Sequence, residues 1–185
     1  MKYDEWKAAY VDKTQPPRTT PNKTRVLKNQ TDSGILVLGG EGMTSAGASG
    51  AIPRNDYKRL EDHANLFYDE VRKRTGDIEK IAHNTGFSVE DVKKIKDHMF
   101  FNKYDLDRNE PSRFDPDYDQ SVSWQRLSEG KNIQEMDIVM LKHEIMEYGL
   151  MVEQGMSYRE AHDLTELEYS YSKYVKELDK KGGSF

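Results

Sequence analysis

The sequence predicts a mostly α-helical protein, a compact multi-helix domain preceded by an extended, largely irregular N-terminal arm. From residue 53 onward, apolar residues recur at helical spacing, and the stretches carry their own start and stop signals. Before that point, proline, glycine and small polar residues interrupt every regular pattern. The composition supports a packed core: 33% of residues are charged, but 11 Tyr, 6 Phe and 2 Trp supply enough aromatic mass to exclude wholesale disorder.

Within the arm, YDEWKAAYV at 3–11 reads as a short helix with Trp6 and Tyr10 on one side. Three prolines in TQPPRTTPNKT forbid its continuation. The run GILVL supplies at most one short strand, at 35–38, before the Gly/Ser/Ala stretch GGEGMTSAGASG. A glycine-rich stretch after a strand invites a phosphate-loop reading, but the Lys-Ser/Thr pair such a loop needs is missing. The expected organisation is an arm over 1–52, a helical domain over 53–180 and a tail over 181–185.

The helical elements follow in order. Arg54 to Thr75 reads as one long helix with Leu60, Leu66, Phe67 and Val71 on its apolar face. Asp77 is placed to cap Ile78–Asn84, and Gly86 to end it. Ser88 caps the next helix, which runs to about Phe101. After the loop DLDRNEPSR, Asp115-Pro116 offers a cap followed by proline at the first helical position, and that helix stops at Gly130. Residues 132–153 form the next, ended near Gly155; Ser157 and Glu160 then make a capping box for a single last helix. The short loops imply that consecutive helices pack against one another.

Charge is unevenly placed, +4 over residues 1–30 and −9 over the rest. An acidic body is a poor general nucleic-acid binder, although the basic arm suits phosphates or an acidic partner; a solvated leader is the plainer reading. The absence of cysteine excludes disulfides, thiolate metal sites and a cysteine nucleophile. No apolar run approaches the roughly 20 residues of a membrane span, and the N-terminus lacks a signal-peptide core, so a soluble protein with no membrane partner is expected.

The segment LKHEIMEYGLM at 141–151 carries the strongest chemical signal. On a wheel of about 100° per residue, His143, Glu144, Glu147 and Asp137 share the half that holds Met136, Met140, Leu150 and Met151, opposite Lys142, Glu135 and Glu153. Carboxylates on a buried half need cations, hydrogen bonds or a metal, or they keep their protons. His143 and Glu147, four apart, have the spacing of the zinc-binding His-Glu-x-x-His with its second histidine replaced, and His162 or Glu160 of the next helix offers a third ligand to a divalent metal. A buried structural network, a metal site on His143, Glu147 and His162, and a metal-free acid–base site all fit these residues. Arg113 and Arg126 are candidates for gripping a carboxylate or an anionic substrate group, and Trp124 for stacking on it or for filling the core. His162 belongs to a stripe with Tyr158, Thr165 and Tyr169, and Leu164, Leu167 and Tyr171 to an apolar face beside it. The same geometry turns His98 away from Val92, Ile95 and Met99, toward solvent or a cleft, as a surface residue or a general base. Finally, IEKIAHNTGFSVEDVKKIKDHMF has a helix-turn-helix outline, with Lys93, Lys94 and Lys96 on its second helix but no arginine for guanine readout.

The succession IAHNTGFSVEDVKKIKDHMFF, RFDPDYDQSVSWQRL, LKHEIMEYGLM, GMSYREAH and YSYSKY resembles a domain at the C-terminus of phage and prophage minor head (head-morphogenesis) proteins of Gram-positive bacteria. YDEWKAAYVDK resembles the junction that precedes it, and the likeness covers roughly 55–176. Such C-terminal additions are variable and often toxin-like. The resemblance implies a virion or bacterial-cytoplasmic location, phage head or portal proteins as partners, and a polar signature at His98, Arg113, Asp115, Trp124, Arg126, His143, Glu144, Glu147, His162 and Tyr171. Two positions depart from the pattern: Asp97 and Ser170 stand where asparagines are expected. The leading expectation is an effector with a hydrolytic or nucleolytic site built from His143, Glu144, Glu147 and His98 or His162, with Glu144 or His143 as general base. Its rivals are a non-catalytic module docking on the head or portal and a helix-turn-helix DNA-binding protein.

Overall fold

The computed structural model describes residues 52–180, and the expectations for the arm and the tail lie outside them. The described residues hold seven α-helices: α1 Tyr57–Lys73, α2 Asp77–Thr85, α3 Val89–Lys96, α4 Tyr118–Glu129, α5 Glu135–Tyr148, α6 Tyr158–Glu168 and α7 Tyr171–Lys180. Two five-residue π-helical turns extend α3 over Asp97–Phe101 and α5 over Gly149–Glu153. The described residues hold no strand, only an isolated bridge between Tyr104 and Ser112.

The middle of the bundle is α5, which packs against α3, α4, α6 and α7. Met136, Met140, Leu141, Ile145 and Met146 are buried around it, as expected for a helix apolar on most sides. The main core joins these to Phe67, Tyr68 and Val71 of α1, Ile81 of α2, Val92 and Ile95 of α3, Phe100, and Trp124 and Leu127 of α4. A smaller cluster of Met146, Leu150 and Ala161 lies under α6.

Most of the expected boundaries are present. Ser88 Oγ accepts from the Asp91 amide at 2.9 Å, Ser157 and Glu160 form the capping box, and Gly86 and Gly130 close their helices with left-handed backbones. Others differ for identifiable reasons. Asp117, not Asp115, caps α4, accepting from the Gln120 amide at 2.8 Å, while Asp115 pairs with Arg108 in the preceding loop. Gly76 takes the cap position of α2, and Asp77 turns inward to bind Lys96 Nζ at 2.7 Å and Trp124 Nε1 at 3.1 Å. Lys96 is therefore a buried structural cation rather than part of a DNA-reading face. Leu66, 58% exposed, does not belong to the buried face of α1, whose members are Ala64, Phe67, Tyr68 and Val71. Leu167 is likewise exposed.

The single last helix is two. It breaks at Tyr169 and Ser170, where the Glu166 carboxylate accepts from Ser170 Oγ at 2.8 Å and Ser172 Oγ at 2.9 Å and caps the start of α7. The break turns the Tyr169 carbonyl toward α5, where His143 uses it.

Candidate metal and acid–base centre

Three helical segments converge on Glu147. It projects from α5 one turn beyond His143; His162 comes from α6 and His98 from the π turn after α3. Glu147 Oε2 lies 2.7 Å from His162 Nδ1 and 3.5 Å from His143 Nε2, and Oε1 lies 3.2 Å from His98 Nε2. Glu144 adds a second carboxylate, with Oε2 3.8 Å from His98 Nε2. All of this happens inside the protein: His98 is 0%, Glu147 3%, His143 4% and Glu144 5% exposed. His162 is the partly exposed member.

The surroundings orient three of these side chains. His143 Nδ1 donates to the Tyr169 carbonyl at 2.8 Å, which directs Nε2 at Glu147. His98 Nδ1 pairs with Tyr104 Oη at 2.7 Å, an oxygen that also accepts from Asn102 Nδ2 at 2.9 Å. Gln120 Nε2 donates to Glu144 Oε1 at 3.0 Å, and Gln120 Oε1 accepts from Tyr68 Oη at 2.7 Å. Phe114, Tyr104 and Tyr148 pack their rings around the His98 imidazole at centroid distances of 5.1, 5.1 and 5.9 Å.

This placement corrects the expectation that His98 faces solvent or a cleft, because its side chain is fully buried and is not part of the cleft wall. A wheel drawn for one helix cannot see the loop at 102–116, which folds back over the helix end through the Tyr104–Ser112 bridge and covers His98 with Tyr104 and Phe114. π turns occur where a helix re-aims a functional side chain, and His98 sits in one.

The electrostatics follow from burial against pairing. Burial disfavours a charged His143, but the hydrogen bond to Glu147, the charges of Glu144 and Glu147 and the Tyr169 carbonyl outweigh it and lift its pKa to about 9. Burial would raise Glu147 too, yet hydrogen bonds from His143, His162 and His98 hold it well below the usual carboxylate range. Glu144 goes the other way: burial pushes its carboxyl up, His143 opposes, and the neighbouring Glu147 charge reinforces the rise. The hydrogen bond to Glu147 raises His162. Burial drives the hydroxyls of Tyr104 and Tyr158 up to about 12, so both remain protonated donors at neutral pH.

The cluster opens into a cleft of about 310 Å³ whose lining includes His143, Glu144, Glu147, His162, Tyr158 and Arg108. Arg108 is the arginine at the cleft, rather than the two expected from sequence. Arg126 is committed to Asp137, which it grips through Nε at 2.9 Å and through Nη2, and Arg113 donates to the Phe101 carbonyl at 3.3 Å. Trp124 is completely buried in the core and cannot stack on a ligand. Tyr104, Arg108, Gln120 and the Tyr169 carbonyl are the contributors that sequence reasoning missed; each comes from a loop, a helix break or a neighbouring helix, where periodicity carries no signal.

Among the described residues, two sets of three have potential ligand atoms within 4.8 Å of one another, His143–Glu147–His162 and His98–Glu144–Glu147. The first is the set that the His-Glu-x-x-Glu spacing suggested. Two imidazoles and a carboxylate suit zinc and related divalent ions, and three protein ligands leave a position open for water. No protein-family model, curated protein or solved structure matches this chain. Among the described residues, no helix is long and apolar enough to cross a membrane.

Proposed function

We propose that this chain is a metal-dependent hydrolase acting on phosphodiesters, deployed as the toxin-like C-terminal domain of a phage or prophage minor head protein. The chemistry rests on the site and the biological setting on the motif resemblance. The observation that carries the first is the convergence of three histidine nitrogens on the two oxygens of buried Glu147, beside a second buried carboxylate and at the wall of a cleft. A structural network only balances charge; this one gathers three imidazoles about one carboxylate and sets two of them, His143 and His162, in the wall of the cleft.

His143, Glu147 and His162 would hold a divalent ion, and such an ion would supply Lewis-acid activation of water near neutral pH. The chain's own residues do the rest. The Tyr169 carbonyl fixes the His143 tautomer, and Tyr158 presents a protonated hydroxyl at the cleft. Arg108 is held by Asp115 through two hydrogen bonds, at 3.1 and 2.6 Å, and lines the same cleft. It is placed to exchange its carboxylate partner for a substrate phosphate.

The test uses the full chain, stripped with a chelator and reloaded with Zn²⁺ or Mn²⁺, on single- and double-stranded DNA and on RNA. Cleavage should require the ion and vanish in His143→Ala and Glu147→Gln. Expression in a bacterium should slow growth for the wild type and not for these variants. Tight metal binding with no cleavage of any of the three polymers would refute the substrate class; no metal binding would refute the site.

A further inference from the structure

The two oxygens of Glu147 face different partners. Oε2 is met by His162 Nδ1 at 2.7 Å and His143 Nε2 at 3.5 Å, whereas Oε1 is met by His98 Nε2 at 3.2 Å, itself 3.8 Å from Glu144 Oε2. Two three-residue ligand sets result, and Glu147 is the member they share. We propose that the centre is dinuclear: Glu147 bridges two divalent cations, one held by His143 and His162 and the other by His98 and Glu144. This rests on the reading that the cluster binds a divalent cation at all, and adds a second ion with its own ligands.

The second set is built as carefully as the first. With Nδ1 of His98 engaged by Tyr104, Nε2 is the nitrogen turned into the site. With Oε1 of Glu144 engaged by Gln120, Oε2 is the oxygen turned toward His98. Partners that fix one atom of a ligand so that the other points inward are the outer shell that metal ligands carry. A single ion on His143, Glu147 and His162 would use His98 only as a hydrogen-bond partner of Glu147 Oε1 and would leave the buried Glu144 carboxylate outside the ligand set.

Charge argues the same way. Glu144, Glu147, Asp115 and Asp117 line the cleft against Arg108, His143 and His162, and once the two imidazoles give up their protons to bind metal, Arg108 is the one cation left among these groups. Two divalent ions would offset all four carboxylates. In paired metal sites the ions lie about 3.5–4 Å apart and stabilise both the attacking and the leaving oxygen of an in-line displacement at phosphorus. One carboxylate offering a separate oxygen to each ion is suited to holding such a pair.

The stoichiometry tests this. The metal-free 185-residue chain titrated with Mn²⁺ and examined by native mass spectrometry should take up two ions, and paramagnetic resonance should show the exchange-coupled signal of a manganese pair. His98→Gln and Glu144→Gln, both close in size to the residues replaced, should each bind one ion, lose the coupled signal and keep the helical circular dichroism of the parent. One ion in the wild type, retained in both variants, would overturn the dinuclear centre and leave the single-ion reading standing. Two ions retained in both variants would overturn the ligand assignment. No ion in the wild type would overturn the underlying reading itself.

Discussion

Two buried charged groups in this bundle behave in opposite ways. At the base of α2, Asp77 and Lys96 form a closed pair: Lys96 Nζ binds Asp77 Oδ1 at 2.7 Å and the Arg74 carbonyl at 3.0 Å, and Trp124 Nε1 donates to the other carboxylate oxygen. One positive charge meets one negative charge, and the spare valences go to the backbone and an indole. Around Glu147 the compensating groups are histidines, which are cations only while protonated, and the cluster borders a cleft. Asp137 follows the first pattern with Arg126. Permanent cations thus mark the places where charge holds the fold, and titratable imidazoles mark the place where, on the proposed reading, protons would be exchanged for metal.

The largest effect that sharpens this contrast is all-or-none. Glu147→Gln removes the carboxylate common to both ligand sets, and metal uptake measured by native mass spectrometry should disappear. Lys96→Ala should instead leave metal uptake intact and cost about 3–5 kcal/mol in urea unfolding, because Asp77 stays buried without its cation. A Lys96→Ala protein that unfolds like the parent would break the structural half of the comparison. Gln120→Ala or Tyr104→Phe, which touch only the partners of ligands, should weaken metal affinity by about 10–100-fold in calorimetric titration. Unchanged affinity in both would remove the outer shell from the account.

The smallest effect is the pH dependence of the metal-free chain. His143 has a folded-state pKa of about 9 against an ordinary 6.5, so its pairing with Glu147 stabilises the fold fully below 6.5 and is lost as pH rises through 9. His162 is shifted in the same direction. Denaturant midpoints of metal-free protein should therefore fall between pH 6.5 and 9, an effect reduced in His143→Gln. Over the same window metal affinity should rise, because the ligand nitrogens must shed their protons to bind. A midpoint that climbs across this range would contradict the assigned pairing.

Much of the helical frame was legible because it depends on local chemistry: Ser88, Gly86, Gly130 and the Ser157–Glu160 box act within a turn of themselves. The polar half of α5 was legible too, since a single wheel places His143, Glu144 and Glu147 away from Lys142. What compensates them was not, because His98 arrives through a π turn under a loop and the Tyr169 carbonyl through a break enforced by Glu166. Asp77 misled for a related reason. A carboxylate at a helix start looks like a cap, and only Lys96 and Trp124, brought in from α3 and α4, turn it inward.

On the proposed reading, the Glu147 cluster exchanges protons for metal where the Asp77 pair cannot. Calorimetric titration of Zn²⁺ into the metal-free chain at pH 7, run in two buffers of different ionisation enthalpy, tests it most directly. Saturable binding with net proton release is expected in the wild type, and neither in Glu147→Gln. Heats indistinguishable between the two proteins would show that the cluster is a structural network of the same kind as Asp77 and Lys96.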